Sequence, residues 1–193
     1  MIDSPAFARL TRRGLLGLML AAATASPAWA EHPSLTYMRK VARDLLNASR
    51  QGTIASFKSA IERHADVADI ADYSLGQYKA KLAAGQRSVY YGGVVAFMAR
   101  YLAEQSRDFP VAKYELGDAN ADGKDMLIDS HVYLMNGQSY TVVWRLGWRR
   151  GGYKVTDVKV LGFSLVYMQR GIFTSYITKK NGDVSQLVLA LNR

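Results

Sequence analysis

The sequence predicts an α+β protein in which N-terminal helices pack on a twisted antiparallel sheet of about four strands, followed by a C-terminal helix. Three observations lead to this prediction. Apolar residues recur at helical intervals before Pro110, the period changes to two after it, and helical spacing returns from Phe163. Helices laid over a sheet build either a packed core or an apolar pocket, and the spacing alone does not choose between them.

The first 30 residues have the features of a secretory signal peptide. A basic region ends at Arg12-Arg13, an apolar run covers residues 14–25, and Ala28-Trp29-Ala30 has the form that signal peptidase cuts. The paired arginines also resemble a twin-arginine signal, so both export routes stay open. We therefore predict a cleaved segment 1–30 and a single exported domain over residues 31–193. No segment after residue 30 reaches 18 apolar residues, so we expect no permanent membrane insertion.

Composition narrows the function classes. The chain of 193 residues lacks Cys, which excludes disulfides, thiolate metal ligands and a cysteine nucleophile. Its formal charge is +9, and residues 1–30 hold three arginines and one aspartate, so residues 31–193 keep +7. A basic surface can favour nucleic acid, anionic lipid or an acidic protein, and charge alone does not choose between them.

The helices are predicted from apolar spacing and from their breaks. Residues 34–63 read as one long helix or two shorter ones, with a break at residues 51–53, where Thr53 can cap the second helix. Further helical stretches follow over residues 65–82, with a turn marked by Gly76, and over residues 84–105. Gly92-Gly93 lies inside the latter and disfavours a helix by about 1 kcal/mol per glycine, so we expect a close neighbour there.

The strands are predicted near residues 111–117, 125–135, 139–147 and 153–161. The turns between them fall at residues 120–123, at Asn136-Gly137 and at residues 149–152, where residues that tolerate positive φ cluster. Gly162 then allows the chain to turn sharply, and the closing helix is expected from Phe163.

A calcium site is the first chemical alternative. Residues 118–123 read DANADG and resemble the opening of an EF-hand loop, with Asp129 at its twelfth position. The final residue is Asp rather than Glu, and the flanks look like strands rather than helices. A hairpin tip is therefore the favoured interpretation.

A serine hydrolase is the second alternative. Gly162-Phe163-Ser164 begins like a nucleophile elbow at a strand-to-helix turn, but Val166 stands where the closing glycine belongs. The three histidines are scattered: His32 is beside the predicted cleavage site, His64 is on a polar helical face, and His131 is in a strand. Ser164 is better explained as a helix cap, and the histidines give little support for zinc.

A basic hairpin is the third feature. Trp144-Arg145 and Trp148-Arg149-Arg150 interleave aromatic and basic residues, as in surfaces that bind phosphate or an acidic partner. A merely solvated hairpin explains the pattern equally well.

Two stretches resemble the MlaC/toluene-tolerance auxiliary family. Residues 152–166 read GYKVTDVKVLGFSLV, followed by Arg170, Phe173, Ile177 and the terminal LVLAL. Upstream, residues 70–76 read IADYSLG, followed by Gln86-Arg87 and Phe97. The resemblance covers nearly the whole chain after residue 30. It departs from the family pattern at Tyr153, at Leu161 and at residues 167–169.

This resemblance implies a periplasmic phospholipid carrier without enzymatic activity. Such a carrier shuttles lipid between an outer-membrane lipoprotein complex and an inner-membrane ABC transporter that carries an MCE-domain protein. The family fold holds acyl chains in an apolar slot between helices and sheet, and it implies neither a cofactor nor a nucleic-acid partner.

An acyl chain needs apolar area rather than hydrogen bonds, since each buried methylene contributes about 0.8 kcal/mol. The predicted slot residues are therefore apolar or aromatic, and each could equally be ordinary core. From the helices they are Ile70, Tyr73, Leu75, Phe97 and Tyr101; from the strands, Val132, Leu134, Val143, Val158 and Val160; and closing the slot, Phe163, Val166, Phe173 and Ile177. From the motif match, we expect Asp157, Ser164 and Arg170 to brace the strand–helix corner.

Overall fold

Residues 31–193 are described in a computed structural model, and the predicted signal peptide lies outside them. This range contains six α-helices, two short 3-10 segments and an antiparallel sheet of five strands. The helices are α1 Pro33–Gln51, α2 Ile54–His64, α3 Val67–Leu75, α4 Arg87–Asp108, α5 Leu165–Lys179 and α6 Val184–Leu191. The strands are β1 Val111–Asp122, β2 Asp125–Leu134, β3 Ser139–Arg149, β4 Gly152–Val160 and β5 Phe163–Ser164. The predicted α+β class is confirmed.

The helix breaks have local causes. Gly52 ends α1 in the left-handed region, at φ 62°, and the Thr53 side chain caps α2 by accepting a hydrogen bond from the Ser56 N–H at 3.1 Å. The predicted stretch 65–82 is α-helical only to Leu75, because Gly76 takes φ 54° and ψ −127° and starts a 3-10 segment. The predicted helix 84–105 begins later, at Arg87, and runs on to Asp108.

The sheet is a meander in which each strand pairs with the next one along the chain. The first strand is longer than predicted, and the hairpin turn after it narrows to Gly123-Lys124, with Gly123 at φ 62°. Phe163 does not start the closing helix. It pairs with Val160 in the two-residue strand β5, and α5 begins two residues later.

Three packed clusters of buried apolar side chains form the core. The first joins α3, α4, α5 and α6 around Leu75, Tyr90, Val94, Phe173 and Ile177. The second joins α1, α2 and α4 around Phe57, Ile61 and Ala99. The third lies between α1 and one end of the sheet, and it consists of Met38, Val41, Ala42, Ile128, Leu146 and Val155.

The two glycines inside α4 have different surroundings. A Cβ at Gly93 would lie 2.7 Å from the Leu191 Cβ and 2.7 Å from the Asn192 Nδ2, so α6 packs directly on this glycine. A Cβ at Gly92 would meet nothing within 4 Å. The predicted close neighbour is confirmed at Gly93 and wrong at Gly92.

Over residues 31–193, no helix combines the length and the apolar character that a bilayer crossing requires.

Candidate functional site

The inner face of the sheet, on the side where α1 packs, carries an apolar row beyond the third cluster. Val132, Leu134 and Val142 are buried there, with exposed fractions of 8%, 5% and 4%. Val142 pairs with Val160 on β4, and Val132 pairs with Tyr140 on β3, so these side chains share one face. They are buried but belong to none of the three packed clusters. We call this row, with Tyr140 and Val160, the apolar sheet face.

Val143 does not belong to the apolar sheet face. It pairs with Asp129 on one side and with Lys159 on the other, and it alternates with Val142 along β3. Successive side chains of a strand point to opposite faces, so Val143 lies on the outer face with charged neighbours. Its prediction as a slot residue is corrected on this ground.

Five of the predicted helical residues lie within the helical layer. Leu75, Phe173 and Ile177 are fully buried in the first cluster, and the Phe97 ring meets the Phe173 ring edge-on at a centroid distance of 5.1 Å. Ile70 is also buried, with an exposed fraction of 4%. These side chains stabilise the helix–helix packing that holds the layer above the sheet.

Three other predicted residues are exposed. Tyr73 on α3, Tyr101 on α4 and Phe163 on β5 keep exposed fractions of 45%, 39% and 69%. Tyr73 packs against the guanidinium of Arg170, whose Cζ lies 4.9 Å from the ring centroid. These side chains lie at the rim of the fold rather than in its interior.

The corner between β4 and α5 is fixed by two polar side chains. The Asp157 Oδ1 accepts hydrogen bonds from the Val158 N–H at 2.8 Å and from the Val166 N–H at 3.3 Å. The Ser164 Oγ accepts a hydrogen bond from the Tyr167 N–H at 3.0 Å and caps α5. The bonds to Val166 and Tyr167 satisfy N–H groups that the first turn of α5 leaves unpaired. The half-buried Val158 and Val166 are held at this corner.

Arg170 lies one helical turn further along α5. A Cβ added to Gly76 would come within 2.9 Å of the Arg170 Nε, so the side chain packs directly over this glycine. Beside it is an open polar cavity of about 300 Å³, lined by Gln77, Arg170, Gly171, Thr174, Ser175 and Thr178. Arg170 makes no ion pair with any residue of the range 31–193.

His64 is buried rather than on a polar face. Its Nε2 lies 2.8 Å from the Asp44 Oδ2, and the Tyr37 hydroxyl lies 3.4 Å from its Nδ1. Burial lowers the pKa of His64, and burial raises the pKa of Tyr37 to about 12. The hydrogen bond from His64 holds the pKa of Asp44 below its ordinary value.

The other two histidines also contact residues other than Ser164. His131 lies beside Thr141, with its Nδ1 3.3 Å from the Thr141 Oγ1, and His32 lies beside Ser34. The Ser164 Oγ is used as a helix cap.

The EF-hand-like segment is part of the β1–β2 hairpin. Asp122 pairs with Arg145 at 2.6 Å, and Asp129 lies across the hairpin on β2. In the described part of the chain, no three acidic or histidine side chains converge as metal ligands.

The arginines of the basic hairpin are mostly paired within the protein. Arg145 also contacts Asp125, and Arg149 joins Asp66 at 2.8 Å and Asp69 at 3.5 Å. These contacts tie the hairpin to the sheet and to the start of α3, so this surface has less free positive charge than the sequence suggests.

A family comparison identifies the chain. A model of the MlaC protein family matches residues 37–193. This chain belongs to the MlaC family. No curated protein matches its sequence.

A solved structure has the same fold as this MlaC-family chain. It is the phospholipid-binding protein from Ralstonia solanacearum in complex with a phospholipid, and the TM-score is 0.68 at 20% sequence identity. The match covers 84% of this chain and 96% of the other. At this identity the likeness shows the fold, which agrees with the family assignment.

Sequence reasoning missed Tyr140 and Val142 in this MlaC-family chain. The signal was present in β3, where residues 140, 142, 144 and 146 are all apolar or aromatic, whereas Thr141 and Arg145 alternate with them. Tyr140 is half-buried, and burial raises its pKa. Its hydroxyl is thus a polar group on the apolar sheet face.

Proposed function

We propose that this MlaC-family protein is a periplasmic phospholipid carrier that holds acyl chains in an apolar slot along the apolar sheet face. One observation carries the proposal: Val132, Leu134 and Val142 are withdrawn from water without joining any of the three packed clusters. Apolar side chains in that position can line a slot for an acyl chain, and the apolar area of the acyl chain is then removed from water.

The energetics favour an apolar ligand without polar anchors. At about 0.8 kcal/mol per methylene, roughly ten buried methylenes supply about 8 kcal/mol, the binding free energy of a micromolar complex. The apolar sheet face offers this area, and Tyr140 adds a single hydroxyl. The helices α4 and α5 would form the opposite wall, with the headgroup left outside.

The proposed role is binding and transfer rather than catalysis. The hydrogen bonds of Ser164 and of the three histidines, described above, support this choice over a small exported hydrolase. As a member of the MlaC family, the protein would shuttle phospholipid between an outer-membrane lipoprotein complex and an inner-membrane MCE-domain ABC transporter.

A matched pair of variants tests the location of the slot. Val160 and Val143 are both half-buried on neighbouring strands, but they lie on opposite faces of the sheet. Val160→Trp adds bulk on the apolar sheet face, and Val143→Trp adds the same bulk on the outer face. Both proteins are offered vesicles, reisolated and extracted, and phosphorus is measured per chain.

We expect Val160→Trp to lose most of the bound phospholipid and Val143→Trp to keep the wild-type amount. Thermal unfolding of both variants checks that each is folded. Equal lipid content in two folded variants, or a loss confined to Val143→Trp, would reject this slot.

A further inference from the structure

An exposed apolar surface lies at the β4–α5 corner. Leu161, Phe163, Tyr167, Met168 and Ile172 keep exposed fractions of 68%, 69%, 67%, 45% and 53%. We call these five residues the apolar corner. Exposed apolar residues are ordinary when isolated, but five large ones within twelve positions mark a contact surface.

Leu161, one of the exposed residues of the apolar corner, has a strained backbone conformation. Its φ is 51°, in the left-handed region, where glycine and asparagine are tolerated and a branched apolar side chain is strained. It precedes Gly162, which has φ 85°. Asn or Gly would relieve the strain at this position, so the stability of the turn does not explain the leucine.

The charged residues from the end of β4 to the end of α5 are all basic. From Lys159 to Lys180 the sequence contains four basic residues and no Asp or Glu. None of the four, Lys159, Arg170, Lys179 and Lys180, makes a salt bridge within the described range 31–193. The adjacent Asp157 is occupied by backbone N–H groups.

We propose that the apolar corner is a docking site for the surface of an anionic phospholipid bilayer. Aromatic and aliphatic side chains beside unpaired cations match both parts of such a surface: the apolar groups enter the boundary between headgroups and acyl chains, and the cations lie at the phosphate level. The binding is peripheral and reversible. The inference extends the proposed function from the lipid carried to the membrane that is touched, and it can be tested separately.

The charge pattern selects a membrane over the other occupants of an apolar surface. A second copy of this chain would bring a surface that is also basic, and the like charges would repel each other. An acidic protein would satisfy the charges, but it would also need an apolar surface that matches the shape of the five side chains. An anionic bilayer satisfies both features, since its interface accepts apolar side chains of any shape.

Flotation with vesicles is the direct test. The full chain is expressed, and the purified protein and its variants are mixed with two kinds of vesicle. One kind contains phosphatidylcholine alone. The other contains about 30% phosphatidylglycerol, so that roughly one lipid in three is charged, as in an anionic leaflet. The test variant is Leu161→Asn with Ile172→Gln, which removes apolar area without adding charge. The control is Met135→Gln, because Met135 is 73% exposed but lies on the β2–β3 hairpin.

We expect the wild type and Met135→Gln to float with the anionic vesicles and to bind phosphatidylcholine vesicles at least tenfold more weakly. The double variant should bind anionic vesicles at least tenfold more weakly than the wild type. Its unfolding temperature should not fall, since Asn relieves the strain at position 161. Raising the salt concentration should release the wild type.

Three outcomes would contradict the proposed docking site. The first is a folded wild type that does not float with anionic vesicles; the second is equal binding by the double variant. The third is a concentration-dependent dimer in solution that the double variant abolishes, because the apolar corner would then be an interface between copies. Lipid content, measured on the same samples, separates these results from failure of the proposed function, since a carrier that does not dock still contains phospholipid.

Discussion

Asp157 and Val166 are joined across the β4–α5 corner, with the carboxylate Oδ1 of Asp157 3.3 Å from the backbone nitrogen of Val166. The same oxygen lies 2.8 Å from the backbone nitrogen of Val158. One carboxylate therefore connects strand β4 to the first turn of helix α5. The direction of α5 relative to the apolar sheet face depends on this side chain.

Replacing Asp157 should weaken the fold through these two N–H groups. Asp157→Ala leaves both donors without their partner, and we expect a loss of about 1–3 kcal/mol in the free energy of unfolding. Asp157→Asn keeps a carbonyl acceptor and should lose less. Urea unfolding of the two variants measures the difference, and an Asn variant as unstable as the Ala variant would argue against the hydrogen-bond explanation.

The cap of α5 gives a second prediction, which also separates a carrier from a hydrolase. Ser164→Ala removes the acceptor for the Tyr167 N–H and should lower the free energy of unfolding by about 0.5–2 kcal/mol. Ser164→Asp, another good N-cap, should recover most of this loss. Both variants should keep their phospholipid. A lipid-hydrolysing activity present in the wild type and absent from both variants would contradict the carrier assignment.

The adjacent glycines of α4 should respond in opposite directions to the same substitution. Gly93→Ala would place its methyl group 2.7 Å from atoms of Leu191 and Asn192, so α6 must shift and the protein should lose about 1–3 kcal/mol. Gly92→Ala meets nothing and should stabilise the helix by about 0.5–1 kcal/mol. Thermal unfolding of the two variants decides this, and a Gly92→Ala variant less stable than the wild type would contradict the packing described.

The buried His64 predicts a loss of stability in mild acid. Burial lowers the pKa of His64 in the folded state, so the unfolded chain binds the proton more readily. Stability is therefore fully present above the unfolded value near 6.5 and declines as the pH falls through it. The pKa of Asp44 is also lowered, so its contribution is lost at still lower pH, as the carboxylate becomes protonated.

Replacing the histidines tests this assignment. His64→Gln should flatten the dependence of the unfolding temperature on pH between about 7.5 and 5.5, whereas His131→Gln, at an exposed position on β2, should leave it unchanged. A wild-type profile that is already flat over this interval would show that His64 titrates normally.

The sequence predicted the order of elements because periodicity and breakers are local signals. The change of period after Pro110 and the Gly52-Thr53 break both mark real boundaries. The turn at Gly76 is also predicted locally, since α3 ends at Leu75, but the short 3-10 segment that follows it is not.

Which side chains share a face could be predicted only in part. Val142 and Val143 are chemically identical neighbours, and the strand register alone decides that Val142 is inside and Val143 is outside. His64 has polar neighbours in the sequence, yet Tyr37 and Asp44 enclose it from α1. Likewise, the partners of Arg149 lie about 80 residues away, at Asp66 and Asp69. Such long-range pairings are set by tertiary packing and leave no local signal.

The central claim is that the protein carries phospholipid, and native mass spectrometry tests it most directly. The protein is purified from the periplasm of a host that expresses the full chain, and its mass is measured before and after organic extraction. We predict a mass increase that extraction removes, corresponding to about one diacyl phospholipid per chain. A clean protein mass, with no uptake of phospholipid after incubation with vesicles, would contradict the account.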